Sequence, residues 1–272
     1  MWKEKLRNSV EIGLPKSSVE LKHNRTTLGV STLTNTEYCE QQAELNLLYP
    51  QIGKTDKIMK TGNISEMIIS PLKQVEYDTL IEDIETKPMV ITKFQIYSEI
   101  DGVVVGGVPD AVVFYSGVPY LLIEFKTGSP NNIWKNEINQ LLIYRYLLEE
   151  MGFDCTSIRN LIVKSRSGVK IGEKGKKIMK QLYKIGNYDL DKFKNQIQKI
   201  NVIQFDNHVH LIDYYEGSII NLIRRYLGLY TDLNRVPTNS SNLRKCESCI
   251  YFPKSKRFNE NRITCPYFKN VY

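Results

Sequence analysis

The sequence predicts a mixed α/β domain, because strand-like runs in the middle of the chain are framed by segments with helical periodicity. The runs cover 89–99, 103–115 and 120–125 and are rich in β-branched and aromatic residues. The turn-forming pairs Asp101-Gly102 and Ser116-Gly117 separate them and predict an antiparallel meander. With 272 residues and 42% hydrophobic composition, the chain can bury a core without a disulfide framework.

The flanking segments supply the predicted helices. Apolar residues recur at helical spacing in 134–151, and 32–49 has an interrupted apolar face. Residues 1–28 are polar and predict an arm or a weakly held helix, followed by a single domain over 29–272. The remaining expected elements are a helix from about 61 to 87, a strand at 159–164, a helix at 189–200, a strand at 201–213 and a long helix at 216–229.

Charge and hydropathy narrow the class of function. The chain has 37 Lys and Arg against 30 Asp and Glu, a net charge of +7, which favours a polyanionic partner. No run approaches ~18 consecutive apolar residues, so we expect a cytoplasmic protein without a membrane partner. Glycine and lysine in 172–177 lack phosphate-loop spacing, which argues against an ATP-driven motor.

Two carboxylates and a lysine form the first candidate site. Asp110 ends one apolar run, and Glu124 and Lys126 end the next. Because side chains alternate along a strand, Glu124 and Lys126 share a face, and an adjacent antiparallel strand would bring Asp110 close to them. Paired carboxylates suit Mg²⁺ or Mn²⁺, and the lysine could activate water or stabilise charge on phosphorus. The alternative is a same-face ion pair on a solvated strand.

Gln140 and Tyr144 follow at i and i+4 on the next predicted helix. Together with Asp110, Glu124 and Lys126, they resemble the PD-(D/E)xK nuclease superfamily, in particular its RecB-like branch. The resemblance implies a restriction-endonuclease-like core in which Asp110 and Glu124 hold the metal and Lys126 assists the attacking water. It also implies that Gln140 and Tyr144 position DNA.

The same branch carries a Gly-x-x-x-His motif on an upstream helix, where the histidine is a further metal ligand. In this sequence Gly62 begins the matching segment, and Glu66 stands at the histidine position. The resemblance therefore implies Glu66 as the third ligand of the divalent metal. The alternative is that Glu66 is an ordinary solvated helix residue.

The cysteines form a second candidate site. Their number is five, which argues against a disulfide framework and favours metal binding. Cys246 and Cys249 have the spacing of half a four-thiolate site, Cys265 follows them, and Cys39 lies far upstream. A four-cysteine zinc site is one occupant that these thiolates suit. Cys155 fits neither group and is expected to be a core or surface thiol.

One cysteine before the nuclease motifs and three after them resembles the iron–sulfur members of the RecB-like branch. These members are the CRISPR-associated adaptation nucleases and the exonuclease V proteins. The resemblance implies a [4Fe-4S] cluster on Cys39, Cys246, Cys249 and Cys265. Residues 29–60 and 233–272 would then form the part of the domain that binds the cluster.

A basic segment follows the predicted fourth strand. Its lysines and arginine would neutralise phosphates without reading bases, although a solvated surface is the alternative for each of them. The candidates are Lys164, Arg166, Lys170, Lys174, Lys176 and Lys177.

The leading functional hypothesis is a metal-dependent exonuclease on single-stranded DNA ends, with 5′→3′ polarity implied by the resemblance. A second hypothesis keeps the fold and makes the chain a CRISPR adaptation factor that trims spacer precursors with an integrase; a separate helicase is another possible partner. The third is a non-catalytic iron–sulfur DNA-binding protein.

Overall fold

The computed structural model describes residues 2–50, 52, 72–127, 132–165, 209–212, 216–240, 243–253 and 263–266. Its helices are α1 (Trp2–Ile12), α2 (Val30–Asn35), α3 (Glu40–Leu48), α4 (Tyr77–Thr86), α5 (Lys135–Glu150), α6 (Glu216–Thr231) and α7 (Leu243–Glu247). Its strands are β1 (Leu28–Gly29), β2 (Met89–Thr92), β3 (Ile96–Ile100), β4 (Val103–Gly107), β5 (Ala111–Tyr115), β6 (Val118–Thr127), β7 (Arg159–Ser165) and β8 (Val209–Ile212).

The described strands form two mixed sheets. The larger has the order β2-β5-β6-β7-β8, in which β6 and β7 are parallel and the other pairs are antiparallel. The smaller has the order β1-β4-β3, with β1 parallel to β4 and β3 antiparallel to it. The α/β fold class is therefore confirmed. Gly62, Glu66 and the helix expected at 189–200 lie outside the described residues.

The predicted three-strand meander is wrong, because the first two runs each divide between the two sheets. Residues 89–99 become β2 and β3, and residues 103–115 become β4 and β5. Pro109 lies at the second division, where its missing N–H cannot continue a ladder. The chain therefore crosses from the small sheet to the large one immediately before Asp110.

Both predicted turns are present, each joining a two-stranded hairpin. Asp101 and Gly102 connect β3 to β4 with φ values of 49° and 79°. Ser116 and Gly117 connect β5 to β6 with φ values of 46° and 81°. Two successive positive φ angles define the turn whose twist matches that of paired strands, so the turn residues correctly predicted the hairpins.

The core lies on both faces of the large sheet. Side chains of α5, including Leu141 and Leu147, belong to the main cluster on one face. A second cluster, which includes Val113, Leu121 and Ile123, covers the other face of β5 and β6. Burial on both faces explains why these strands are continuously apolar until they reach Asp110 and Glu124.

The N-terminal segment begins with the helix α1, one of the two forms expected for it. The Leu6 side chain of α1 is fully buried in the main cluster. The Trp2 ring stacks on Phe153, with the ring centroids 4.9 Å apart. The helix α1 therefore covers part of the core.

None of the helices in the described ranges is long and apolar enough to cross a membrane.

Substituting Leu6→Ala is expected to lower the free energy of unfolding by about 2–5 kcal/mol, because it empties space in the core. Denaturant unfolding of the purified protein measures this change. Val10→Ala is the matched control, since Val10 is on the same helix and 46% exposed. Equal effects of the two substitutions would show that α1 does not contribute to the core as described.

Candidate active site and cysteine pocket

Asp110 and Glu124 meet because β5 and β6 pair in antiparallel register. Ala111 pairs with Ile123, so the residues beyond that pair are brought together at the same end. The Phe125 N–H donates to Oδ2 of Asp110 at 2.8 Å, and the Asp110 N–H donates to Oε1 of Glu124 at 3.3 Å. The Glu124 carboxylate is thus held by the Asp110 backbone, and the Asp110 carboxylate by the backbone of Phe125, the residue after Glu124.

Lys126 and Gln140 complete a hydrogen-bonded network around Glu124. Lys126 Nζ donates to Oε2 of Glu124 at 2.8 Å and to Oε1 of Gln140 at 3.0 Å. Gln140 Nε2 donates to the same Glu124 oxygen at 3.2 Å. β6 and α5 therefore share one polar cluster, in which two of the three hydrogen bonds join the helix to the strand.

Lys93 is a member of the site that the sequence argument missed. It follows β2, and its Nζ lies 3.6 Å from Oδ1 of Asp110. Each carboxylate therefore has a lysine partner, Lys93 for Asp110 and Lys126 for Glu124. The position of Lys93 depends on the pairing of β2 with β5, which no local motif indicates.

Tyr144 lies on the same side of α5 as Gln140, but its described contact is packing. A Cβ atom added to Gly107 would lie 2.9 Å from both Cε1 and the hydroxyl of Tyr144. The buried ring therefore fills the space over Gly107 at the end of β4. Tyr144 fixes the helix against the strand that leads to Asp110, whereas Gln140 contacts the Glu124 carboxylate.

Burial is the largest influence on the pKa of Glu124, which is 1% exposed. It raises the pKa of this carboxyl to about 7; the Lys126 ammonium opposes the shift and the Asp110 carboxylate adds to it. A proton and a divalent cation compete for a carboxylate with such a pKa. Near neutral pH, Glu124 can therefore bind a cation by releasing a proton.

The carboxylates suit a hard cation. Asp110 and Glu124 supply oxygen donors at one point, and Mg²⁺ or Mn²⁺ commonly binds through one or two carboxylates while keeping several waters. In the part of the chain that the structure describes, no group of three or more His, Cys, Asp or Glu side chains could hold a metal ion. The predicted third ligand, Glu66, lies outside that part.

Lys164 belongs to the protein interior and not to a DNA-binding surface. Its side chain is 0% exposed, and its Nζ donates to Oε2 of Glu137 at 2.8 Å and to the carbonyl of Asn132. This burial contradicts the predicted DNA contact of Lys164, because its ammonium group pairs with Glu137 inside the protein. The other five candidates of the basic segment, from Arg166 to Lys177, lie outside the described residues.

The cysteines at the two ends of the chain line one pocket. Cys39, Cys246, Cys249 and Cys265 all contribute to its wall, together with apolar residues that include Leu45 and Phe252. The predicted partition of one upstream and three downstream cysteines is thus brought together. Cys155, in contrast, is buried in the main core.

The local backbone structure sets the positions of Cys39, Cys249 and Cys265 in the pocket. Cys39 is the extended residue immediately before α3, because the predicted helix over 32–49 breaks there into α2 and α3. The Cys249 N–H donates to the carbonyl of Cys246 at 2.9 Å, which closes a tight turn. The Cys265 N–H donates to the carbonyl of Tyr251 at 2.9 Å, so the last cysteine returns to the same place.

Polar contacts around the cysteine pocket connect the segment at Cys39 to the tail. The Tyr38 hydroxyl donates to the carbonyl of Lys245 at 3.1 Å and lies 2.8 Å from the Ser248 hydroxyl. Lys245 Nζ donates back to the Tyr38 carbonyl at 3.0 Å. The Tyr251 hydroxyl donates to Oδ1 of Asn46 at 2.9 Å.

Burial raises the pKa of the Cys249 thiol to about 12, an effect to which the three neighbouring cysteines add and which a hydrogen bond from the Tyr251 backbone opposes. The thiol is therefore neutral unless a cation draws off its proton, as thiolate-binding metals do. Four cysteines in a mostly apolar pocket are a donor set that fits an iron–sulfur cluster or zinc.

These features define a class: an α/β protein with a buried carboxylate–lysine–glutamine network and a separate four-cysteine pocket. No protein-family model matches the chain. No curated protein matches it. A solved structure titled "Crystal structure of SSO0001" matches 92% of this chain and 91% of its own length, with 15% sequence identity and a TM-score of 0.41. At that score, the likeness does not bear on function.

The raised pKa of Glu124 predicts that stability of the metal-free protein falls as pH rises. The folded state holds this proton up to a pKa of about 7, above the ordinary value of 4.5. The contribution of this proton to the free energy of unfolding is complete below the ordinary pKa. It is lost as pH rises through the pKa of the folded state. We expect the loss to be about 1–3 kcal/mol.

Thermal or denaturant unfolding between about pH 5 and pH 8 measures this loss, and Glu124→Gln supplies the comparison because it cannot titrate. The wild-type profile should fall more steeply than that of Glu124→Gln. Parallel profiles would contradict the assignment.

Proposed function

We propose that the chain is a Mg²⁺- or Mn²⁺-dependent deoxyribonuclease that cuts single-stranded DNA from its ends, with 5′→3′ polarity by resemblance. In this proposal the two sheets and α5 form the restriction-endonuclease-like core of a RecB-like PD-(D/E)xK nuclease. The observation that carries it is the contact of Asp110, Glu124, Lys126 and Gln140 in one buried network.

Each member of the network has a distinct task in hydrolysis. Asp110 and Glu124 would hold the cation, which supplies Lewis-acid chemistry at the phosphate. Lys126 would then be released from Glu124 to orient water or to stabilise charge on a phosphate oxygen. Gln140 contacts both Lys126 and Glu124, so it would hold their side chains in place during that exchange.

The charge balance at the Glu124 carboxylate supports the separate roles given to the metal and to Lys126. A cation held by Asp110 and Glu124 would supply the positive charge that Lys126 places beside Glu124 in the structure. Lys126 is only partly exposed, so its ammonium must pair with another anion nearby. A phosphate oxygen of the substrate meets that requirement.

We assign the four-cysteine pocket to a [4Fe-4S] cluster, with zinc as the alternative. A single zinc ion requires sulfur ligands that converge to about 2.3 Å from one centre. A four-iron cluster bonds each thiolate to a different iron, so the sulfurs remain further apart. The arrangement of Cys39, Cys246, Cys249 and Cys265 around one mostly apolar pocket supports a thiolate-bound group at this position.

Substitution of Lys126 tests the nuclease proposal. Lys126→Ala is expected to lower the rate of Mn²⁺-dependent degradation of end-labelled single-stranded DNA roughly 100-fold or more, because it removes a charge at the reacting phosphate. Lys87→Ala is the matched control, since Lys87 is an exposed lysine whose described ion pair is with Asp83 on α4. Equal activity of Lys126→Ala and the wild type would overturn the assignment.

The same assay identifies a non-catalytic DNA-binding protein. In that case, single-stranded DNA binding would survive substitution of Asp110 and Glu124, and no divalent metal would support cleavage by the wild type.

The cysteine assignment is tested by comparing Cys39→Ser with Cys155→Ser after anaerobic purification. Cys39 lines the pocket whereas Cys155 lies in the core, so only Cys39→Ser should lose iron and the broad brown absorbance. Colourless protein containing about one zinc per chain would favour zinc. Equal iron content in both variants and the wild type would contradict the role of Cys39.

A further inference from the structure

A surface cavity of about 650 Å³ lies beside the start of α5. It adjoins the cysteine pocket, since Tyr38 and Lys245 line both. Its volume is within the range of small-molecule sites in proteins. Its lining residues are Glu37, Tyr38, Trp134, Lys135, Asn136, Arg244, Lys245 and Ser248.

The wall of this cavity includes an exposed tryptophan. Trp134 is 60% exposed, whereas the other tryptophan of the chain, Trp2, stacks on Phe153 in the fold. An indole has a large flat face that is costly to leave in water. Its exposure beside the cavity leaves the indole face accessible to a ligand.

Hydrogen bonds to Glu137 hold the backbone of Trp134 in place. The Trp134 N–H donates to Oε2 of Glu137 at 2.9 Å, and the same oxygen accepts from Lys164 at 2.8 Å. Lys164 is fully buried and also donates to the carbonyl of Asn132. The indole is therefore presented by a preorganised backbone, which reduces the entropy lost when a ligand binds.

Positive charge surrounds the indole. Lys135, Arg244 and Lys245 line the cavity together with one carboxylate, that of Glu37. Glu37 is already bonded to Lys135 at 2.5 Å and to Arg225 at 2.7 Å. The cavity therefore carries an excess of positive charge, which favours an anionic ligand.

Glu37 stays ionised at neutral pH, which keeps this arrangement intact. Burial alone would raise the pKa of Glu37, but the hydrogen bonds from Lys135 and Tyr226 and the charges of Lys135 and Arg225 outweigh it and lower the pKa. The Tyr226 hydroxyl donates to Glu37 at 2.7 Å and accepts from Asn139 of α5 at 2.6 Å. Glu37 thus ties the cavity wall to α5.

We propose that this cavity binds an unpaired nucleotide of a single-stranded nucleic acid. The base stacks on Trp134, and Lys135, Arg244 and Lys245 hold the flanking phosphates. Aromatic faces beside basic side chains are the usual means of binding single strands without reading their sequence. A duplex is disfavoured, because a stacked and paired base cannot offer its face to the indole.

The position of the cavity on α5 relates it to the carboxylate network, and this part of the inference rests on the proposed nuclease function. Trp134 precedes Gln140 by six positions, which is about 9 Å along a helix axis. Glu137 lies between them and anchors Trp134. A strand held at Trp134 would therefore be bound on the same helix whose Gln140 contacts Glu124.

Fluorescence of Trp134 tests the stacking directly. Trp2→Phe retains an aromatic ring on Phe153 and leaves Trp134 as the sole tryptophan. A thymidine oligonucleotide, added without divalent metal, should quench this fluorescence and shift its emission. An abasic oligonucleotide of equal length and a duplex of equal charge should quench far less.

Equal quenching by the abasic strand would overturn the proposal, because phosphate contacts alone would then explain it. Absence of quenching by single-stranded DNA and by a matching uridine oligonucleotide would also overturn it and would assign the indole to a protein contact.

Affinity measurements supply the second test. Trp134→Ala should weaken binding of the thymidine oligonucleotide about 5- to 100-fold, as expected for loss of one base–aromatic contact, and Trp134→Phe should recover most of it. Val236→Ala is the control, because Val236 is 79% exposed and does not line the cavity. Wild-type affinity in Trp134→Ala would overturn the proposal.

The nuclease proposal and the proposal for the cavity at Trp134 can be overturned independently of each other. Lys126→Ala should still show quenching of Trp134, because that measurement requires no cleavage. If Lys126→Ala cleaved DNA as fast as the wild type, the nuclease assignment would fail while the Trp134 experiments would still decide whether the cavity binds a strand.

Discussion

The buried carboxylate of Glu124 constrains the surrounding elements, since a charged oxygen in the core requires partners on every side. Lys126 comes from its own strand, Gln140 from α5, and the Asp110 backbone from the neighbouring strand. Removing any one partner would leave a desolvated charge poorly compensated. The packing of α5 on the large sheet and the pairing of β5 with β6 are therefore linked through one carboxylate.

Local features allowed the sequence to predict much of this arrangement. The turn residues at Asp101-Gly102 and Ser116-Gly117 define hairpins over a few positions, and alternation along one strand places Glu124 and Lys126 together. Division of the strands between two sheets was not predicted, because Pro109 marks a break without stating where the chain goes next. The pairing of β2 with β5, which brings Lys93 to Asp110, has no local signal.

The prediction for Lys164 was wrong for the same reason, because its environment depends on a residue that is distant in sequence. In the sequence it begins a lysine-rich segment, and composition alone favoured a surface that binds phosphates. Its environment is set by Glu137, 27 positions earlier and on a different element. A lysine in a basic run and a lysine that completes a buried ion pair are identical in sequence until the partner's location is known.

The contacts around the cysteine pocket have a consequence for biosynthesis. Tyr251 and its acceptor Asn46 are 205 positions apart, so the ribosome needs roughly 10–40 seconds to make the second after the first. Leu45, which packs with Ile250 and Tyr251, must await these partners during that time. Any group bound by all four thiols can be captured only after translation has passed Cys265.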